Sequence, residues 1–385
     1  MNLLNVADRL TAIDHYDVIL TKKRYLHSSY RFSDCEACFA ICPVNAIRPG
    51  KPPSLNSKQC QNCIACLVVC PVGAFAADDA VASLLHAVAH LESSTLELLC
   101  ERNPQAICGT TDTGTGISIK GCLAGLGFGV YLALTAFGME HILVRTDACS
   151  KCEWSTLKNQ IEAQVMQAKK FLAAWEKSEM IDCVSKLDSP KERPLWQASN
   201  PPLTRRDLFR MIARQGQVAI ARSIEEGQSQ SGRNPGRDRQ RILGLVSHLP
   251  APQSVENLDL GELGFTSLSV TGDCTACGAC ARACPTRAIE LVKDIDATTF
   301  VLKVATGKCI GCEICVNVCV TSAIRVLHKP TFDQVFNEGM LTLQEGILVK
   351  CKGCGIMMAA LPGVQFCQLC EKKQSKTNLS RFHQN

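Results

Sequence analysis

Twenty-five of the 385 residues are cysteine, and their spacing is the first chemistry the chain offers. Cys274-x2-Cys277-x2-Cys280-x3-Cys284 is followed by Pro285. Cys309-x2-Cys312-x2-Cys315-x3-Cys319 repeats the run, with Val320 in the proline position. Three thiolates at this spacing let one loop wrap a face of an iron–sulfur cubane, and the fourth cysteine of such a run reaches the other cluster of a pair. Crossed pairing therefore assigns Cys274, Cys277, Cys280 and Cys319 to one [4Fe–4S] cluster. Cys309, Cys312, Cys315 and Cys284 take the second. Proline is not a ligand, so Val320 leaves the assignment intact.

The N-terminal block carries one complete run, Cys60-x2-Cys63-x2-Cys66-x3-Cys70-Pro71, and a shortened one, Cys35-x2-Cys38-x3-Cys42-Pro43. Phe32 stands where the short run would have its first cysteine. By the same crossing, Cys60, Cys63, Cys66 and Cys42 complete one cluster, while Cys35, Cys38 and Cys70 are one thiol short. Three options follow: a distant cysteine completes the set; Asp34, His27 or water binds the iron; or the site holds [3Fe–4S]. The favoured source is a distant cysteine, because Cys108 and Cys183 belong to no run.

On these runs, both blocks resemble two-cluster bacterial ferredoxin domains. The resemblance implies two small modules of βαβ halves related by a pseudo-two-fold axis, working by one-electron transfer. Phe32 departs from that pattern.

Between the blocks, Ser94–Leu99, Ile117–Lys120 and Ile142–Arg145 read as strands alternating with helical segments. Cys100, Cys122 and the pair Cys149/Cys152 each follow one of these strands. All four would then lie at the carboxyl edge of a small parallel sheet, where open α/β sheets bind ligands. Four thiols converging there suggest [2Fe–2S], [4Fe–4S] or zinc. The layout resembles the iron–sulfur delta subunit associated with hydrogenases and heterodisulfide reductases, which implies a further cluster. The tail carries Cys351-x2-Cys354 and Cys367-x2-Cys370. Two such knuckles make a tetrahedral S₄ site, zinc-ribbon-like, for zinc or iron.

Other motifs carry less. Gly121, Gly125, Gly127 and Gly129 lack the residues of a nucleotide loop and read as close helix packing. His86 and His90 lie four apart, but Ala87 replaces the glutamate of a zinc-protease motif. No catalytic residue set is identifiable.

The elements that must position the thiols divide the chain into five parts. These are a dicluster domain at 20–82, an α/β domain at 83–185, a basic Pro/Gly/Ser-rich linker at 186–255, a second dicluster domain at 256–330 and a Cys₄ ribbon at 331–375. The fold class is a multidomain mixture of α+β and α/β. Charged residues at 20% and apolar ones at 46% exclude a disordered chain. A disulfide scaffold does not fit, since those are small secreted domains and 25 is odd. Between Lys191 and Arg241 there are 11 Lys/Arg against 5 Asp/Glu, a net +6 within a chain of +5. Four oxidised cubanes add roughly −8 and an S₄ zinc roughly −2, so the loaded protein is acidic. The positive formal charge is therefore no sign of nucleic acid, and aromatics at 5% offer no stacking surface.

The start of the chain shows no signal peptide. Thr204–Phe209 resembles a twin-arginine export motif, but far inside the chain, where it reads as a basic helix turn or docking patch. The 19 uncharged residues 121–139 could span a bilayer. Five glycines and an immediate strand favour a buried helix instead. A reducing cytoplasm fits thiols kept for metal. The expected function is relay of single electrons through about four [4Fe–4S] clusters to or from a redox enzyme of hydrogenase, formate dehydrogenase or reductase type, in a peripheral complex subunit. The alternatives are a heterodisulfide-reductase-like or bifurcating subunit with chemistry in the middle domain, or a redox-sensing or maturation factor.

Overall fold

The thiols are positioned by short strands and tight turns, in a computed structural model that describes residues 18–30, 33–202 and 233–374. Residues 1–17, Phe32 and the Thr204–Phe209 motif lie outside the described residues. The chain divides into two units, Met1–Leu258 and Asp259–Asn385.

The first unit begins with β1 (Ile19–Leu20), the turn helix α1 (Leu26–Ser29), α2 (Ala37–Ile41), β2 (Ile47–Arg48), β3 (Ser54–Leu55), α3 (Ala65–Val69) and β4 (Phe75–Ala76). β1 pairs antiparallel with β4, and β2 with β3. Each half thus keeps a strand–helix–strand order, and the strands flanking each helix do not pair with one another. They pair across the internal repeat.

A parallel sheet follows. Its elements are α4 (Val81–Val88), β5 (Thr95–Cys100), β6 (Cys108–Gly109), β7 (Thr115–Ile119), α5 (Phe128–Ala136), β8 (His141–Arg145), α6 (Lys158–Leu172), β9 (Ile181–Val184), β10 (Lys191–Glu192), β11 (Leu195–Gln197) and α7 (Arg237–Val246). The five-stranded order is β11-β7-β5-β8-β9, parallel throughout. Leu96, Leu98, Leu99, Ile117, Ile119, Ile142 and Val144 are wholly buried, as strands covered on both faces require. The uncharged stretch forms α5, buried from Phe128 to Leu134. Among the described residues no helix is long and apolar enough to cross a membrane.

The stretch read as a linker is built into this unit at both ends. β11 extends the sheet, and α7 packs on α5. The basic composition misled because Arg193, Arg237 and Arg241 each pair with an acid of the first unit. Arg237 Nη1 lies 2.9 Å from Asp79 Oδ2, and Arg241 pairs with the same carboxylate. Burial alone would raise the Asp79 carboxyl, yet the two arginines hold it below its ordinary value. Gly127 and Gly129 give room to a second acid, Asp238. A Cβ on Gly127 would collide with the Asp238 carboxylate, which accepts from Gly129 N at 3.3 Å. Burial pushes that carboxyl up to about 6.

A further charge network threads the sheet. Glu97, on the central strand, is fully buried. Its Oε2 takes Arg145 Nη1 at 3.0 Å and Arg193 Nη2 at 2.9 Å, while Oε1 accepts from Thr110. Arg145 also grips Asp147 through Nε at 2.8 Å and Nη2 at 2.9 Å. Gly116 is required here, since a Cβ would strike the Arg193 guanidinium.

The second unit contains β12 (Ser267–Val270), α8 (Ala279–Ala283), β13 (Ile289–Asp294), β14 (Thr299–Val304), α9 (Ile314–Asn317), β15 (Ile324–Leu327), α10 (Phe332–Phe336), β16 (Leu341–Lys350) and β17 (Met357–Ala359). β12 pairs antiparallel with β15, and β13 with β14. This is the pairing pattern of the N-terminal block. β16 and β17 extend the hairpin to the order β13-β14-β16-β17. The tail is thus continuous with the cysteine block rather than a separate ribbon.

Glu97→Gln would leave two guanidiniums facing a neutral partner inside the sheet. Breaking such a buried pair costs about 3–5 kcal/mol, to be read as earlier unfolding of the full chain. The Glu97 carboxyl lies below its ordinary value; burial opposes this, and Thr110 with the two arginines outweighs it. Its contribution is therefore present above the unfolded carboxylate range and lost as pH falls through the lowered folded value. The gap between wild type and variant should close on acidification below about 4.5.

Candidate metal centres

The complete cysteine runs share one backbone device. In each, the residues two and four places after the first cysteine have positive φ. They are Asn62 (53°) and Ile64 (56°), Ala276 (52°) and Gly278 (72°), and Gly311 (63°) and Glu313 (56°). A branched residue such as Ile64 avoids this region, so the conformation is imposed by the surroundings. Backbone alternating in this way gathers N–H groups into concavities that suit anions, Fe–S sites among them. In the short run the corresponding Glu36 has φ −117°, so the device is absent there.

The last cysteine of each run ends in a second repeated turn. Ala46 N donates to Cys42 Sγ at 3.2 Å, Ala74 N to Cys70 at 3.2 Å, Ala288 N to Cys284 at 3.2 Å and Ala323 N to Cys319 at 3.3 Å. In each case the residue before the alanine has positive φ: Asn45, Gly73, Arg287 and Ser322. Val320 supports this turn as well as proline does. A hydrogen bond to sulfur stabilises the thiolate and tunes a bound cluster.

The neighbourhoods of the thiols fall into sets. Cys274, Cys277, Cys280 and Cys319 line one pocket with Thr275, Ala276 and Gln368. Burial pushes Cys280 up to about 11, and Cys277, Cys274 and Cys319 add to it. Burial likewise takes Cys312 up to about 11, with Cys284 and Cys309 as its near thiols. Cys315 rises through burial beside Cys309, Cys312 and Cys284. In the first unit, burial raises Cys63 next to Cys42 and Cys60. Cys66 rises further, beside Cys63, Cys60, Cys70 and Cys42. Burial takes Cys38 up to about 11, with Cys70 and Cys35 adding to it.

The sheet brings the middle cysteines together. Cys100 ends β5, Cys122 follows β7, and Cys149 and Cys152 bracket a turn after β8. All four line one pocket with Arg102, Asn103 and Trp154. Burial pushes Cys122 up to about 12, and Cys100, Cys63 and Cys149 act on it in turn. Cys63 belongs to the N-terminal block, and the two loops are in contact. A Cβ on Gly125 would run into Ile64 and lie 3.5 Å from the Cys63 carbonyl oxygen. Gln61 accepts the Trp154 indole N–H, and the Arg102 guanidinium sits 3.7 Å above the Trp154 ring.

In the tail, the sulfurs of Cys351, Cys354, Cys367 and Cys370 all lie within 4.8 Å of one another. Cys367 N donates to Cys351 Sγ at 3.1 Å and Gly353 N at 3.4 Å. The Cys367 N–H foremost holds the Cys351 thiol down at about 6. Gly353 must be glycine, because a Cβ would sit 2.9 Å from Cys370 Sγ.

The two cysteines outside every run stand apart from these sets. Cys108 is on β6, its carbonyl bound by Arg145 Nη1 at 2.7 Å. Cys183 is on β9, where burial raises its thiol to about 11 among Glu162, Asp182, Lys169 and Lys158. His86 and His90 are helix residues, His90 Nδ1 lying 2.7 Å from the His86 carbonyl oxygen. Sequence reasoning missed Tyr25, whose hydroxyl lies 4.0 Å from Cys38 Sγ. It also missed Trp154 and Gln61. An aromatic two residues after Cys152 was the one available signal.

Residues 273–323 match the family model of the 4Fe-4S dicluster domain. No curated protein matches the chain. The matched domain and the cysteine sets point to iron–sulfur electron transfer.

Cys319→Ser should remove the cluster of Cys274, Cys277 and Cys280 and spare that of Cys309. Iron should fall by about one to four atoms per chain. Stepwise-reduction EPR should show one cluster signal changed and the other intact. Loss of the Cys309 signal alone would refute the crossed assignment.

Proposed function

We propose that this protein relays single electrons through about four [4Fe–4S] clusters, as a subunit serving a partner redox enzyme. Cys42, Cys60, Cys63 and Cys66 would hold one cluster, and Cys35, Cys38 and Cys70 another. The second unit would hold two more, in ferredoxin-like arrangement. Bound there, the clusters supply reversible one-electron chemistry; the chain supplies spacing, burial and hydrogen bonds to sulfur. The fit rests on the donor set: crowded thiols raised by burial, backed by N–H donors from tight turns.

The observation that carries the relay is the contact between the Asn62–Ile64 turn and the Gly121–Gly125 turn. It sets Cys63 beside Cys122. An electron held on the N-terminal block would thus have the Cys100, Cys122, Cys149 and Cys152 site as a neighbour. We read that site as a further cluster, and the tail tetrad as zinc. Arg102 and Trp154 line the first.

Anaerobically purified protein should contain about 16 iron atoms and one zinc, or about 20 iron atoms when the middle site holds a cubane. A count near 8 would sink the reading. Cys122→Ser should abolish the middle cluster's EPR signal and slow reoxidation of the others by an external acceptor. The four remaining clusters should persist.

A further inference from the structure

Cys35, Cys38 and Cys70 form a set of three. The thiols acting most strongly on Cys38 are Cys70 and Cys35, while Cys108 and Cys183 stand in other surroundings, on β6 and β9. Asp34 is exposed. The residues that border the set come from the turn before the run.

Tyr25 is 3% exposed and places its hydroxyl at Cys38 Sγ. His27 stacks on Tyr25, with ring centroids 5.1 Å apart and planes 18° from parallel. The His27 Nε2 lies 3.3 Å from the carbonyl oxygen of Cys35. A carbonyl only accepts, so Nε2 carries the hydrogen and Nδ1 keeps a lone pair. That Nδ1 is buried and has no hydrogen-bond partner among the described residues. An orphaned buried acceptor is costly. A ring whose other nitrogen donates to a carbonyl is oriented as metal-ligating histidines are.

We propose that His27 Nδ1 is the fourth ligand of the cluster held by Cys35, Cys38 and Cys70. This rests on the reading of those thiols as a cluster site. An imidazole is neutral where a thiolate is negative. The cluster would carry one negative charge less than its all-cysteine neighbours and accept an electron first. Replacement of thiolate by histidine raises cluster potentials in general.

The test uses the full chain, purified anaerobically with ¹⁵N-histidine and reduced stepwise. Pulsed EPR of the first cluster to be reduced should show a histidine nitrogen coupling. His27→Ala should lose that coupling and show a [3Fe–4S] signal, with iron lower by about one atom. His27→Cys, which keeps a ligand should His27→Ala fail to fold, should restore the iron. It should lose the coupling and move that cluster to a lower potential. Absence of any histidine coupling in the wild type overturns the proposal. So does a change in this cluster in Cys108→Ser or Cys183→Ser. If Cys38→Ser leaves the iron count unchanged, no cluster exists there, and the underlying reading falls as well.

Discussion

Crowding thiols together inside a protein is unfavourable unless something positive binds them. Each buried thiolate loses hydration and is repelled by its neighbours. The raised thiols of Cys66, Cys122 and Cys315 record that penalty. The fold offsets it twice. Backbone N–H groups reach the sulfurs through tight turns, and a bound metal would neutralise the rest. In the second unit Cys280, Cys284, Cys309 and Cys315 pack with Leu268, Ile289, Leu302 and Ile324 in one core. The sulfurs are therefore core atoms, and metal binding and folding are coupled there.

The rest of the first unit holds its charges on different terms. Glu97 and Asp79 each accept two arginines within the protein. Neither acid faces the thiols in these pairs; they fasten elements on which the thiols sit. Arg145 links the two roles, because it pairs with Glu97 and also lines the pocket of Cys100, Cys122, Cys149 and Cys152. A fixed guanidinium beside that pocket favours negative charge on the sulfurs.

Local spacing was legible in the sequence. A Cys-x2-Cys turn needs only its own few residues to present two thiols, so the runs and the tail tetrad could be read directly. The strands at β5, β7 and β8 were legible from their apolar runs, and with them the convergence of the middle cysteines. What composition hid was anything decided by distant partners. Arg193 and Arg241 looked like linker charges until Glu97 and Asp79, far away in the chain, were placed beside them. Ile64 and Glu313 gave no hint of left-handed backbone, because their residue types avoid it. The role of His27 depends on a Cys35 carbonyl and a Tyr25 ring, neither of which a spacing rule marks.

β11 and α7 have a topological consequence. Both are fastened to the first unit, although they lie in the stretch whose composition marks it as a linker. The pairing of β11 with β7 and the packing of α7 on α5 bring together elements far apart in the sequence. Loop-closure entropy grows only with the logarithm of length, about 0.6 kcal/mol for each doubling. The entropic cost of bringing such elements together therefore depends only weakly on how much chain separates them.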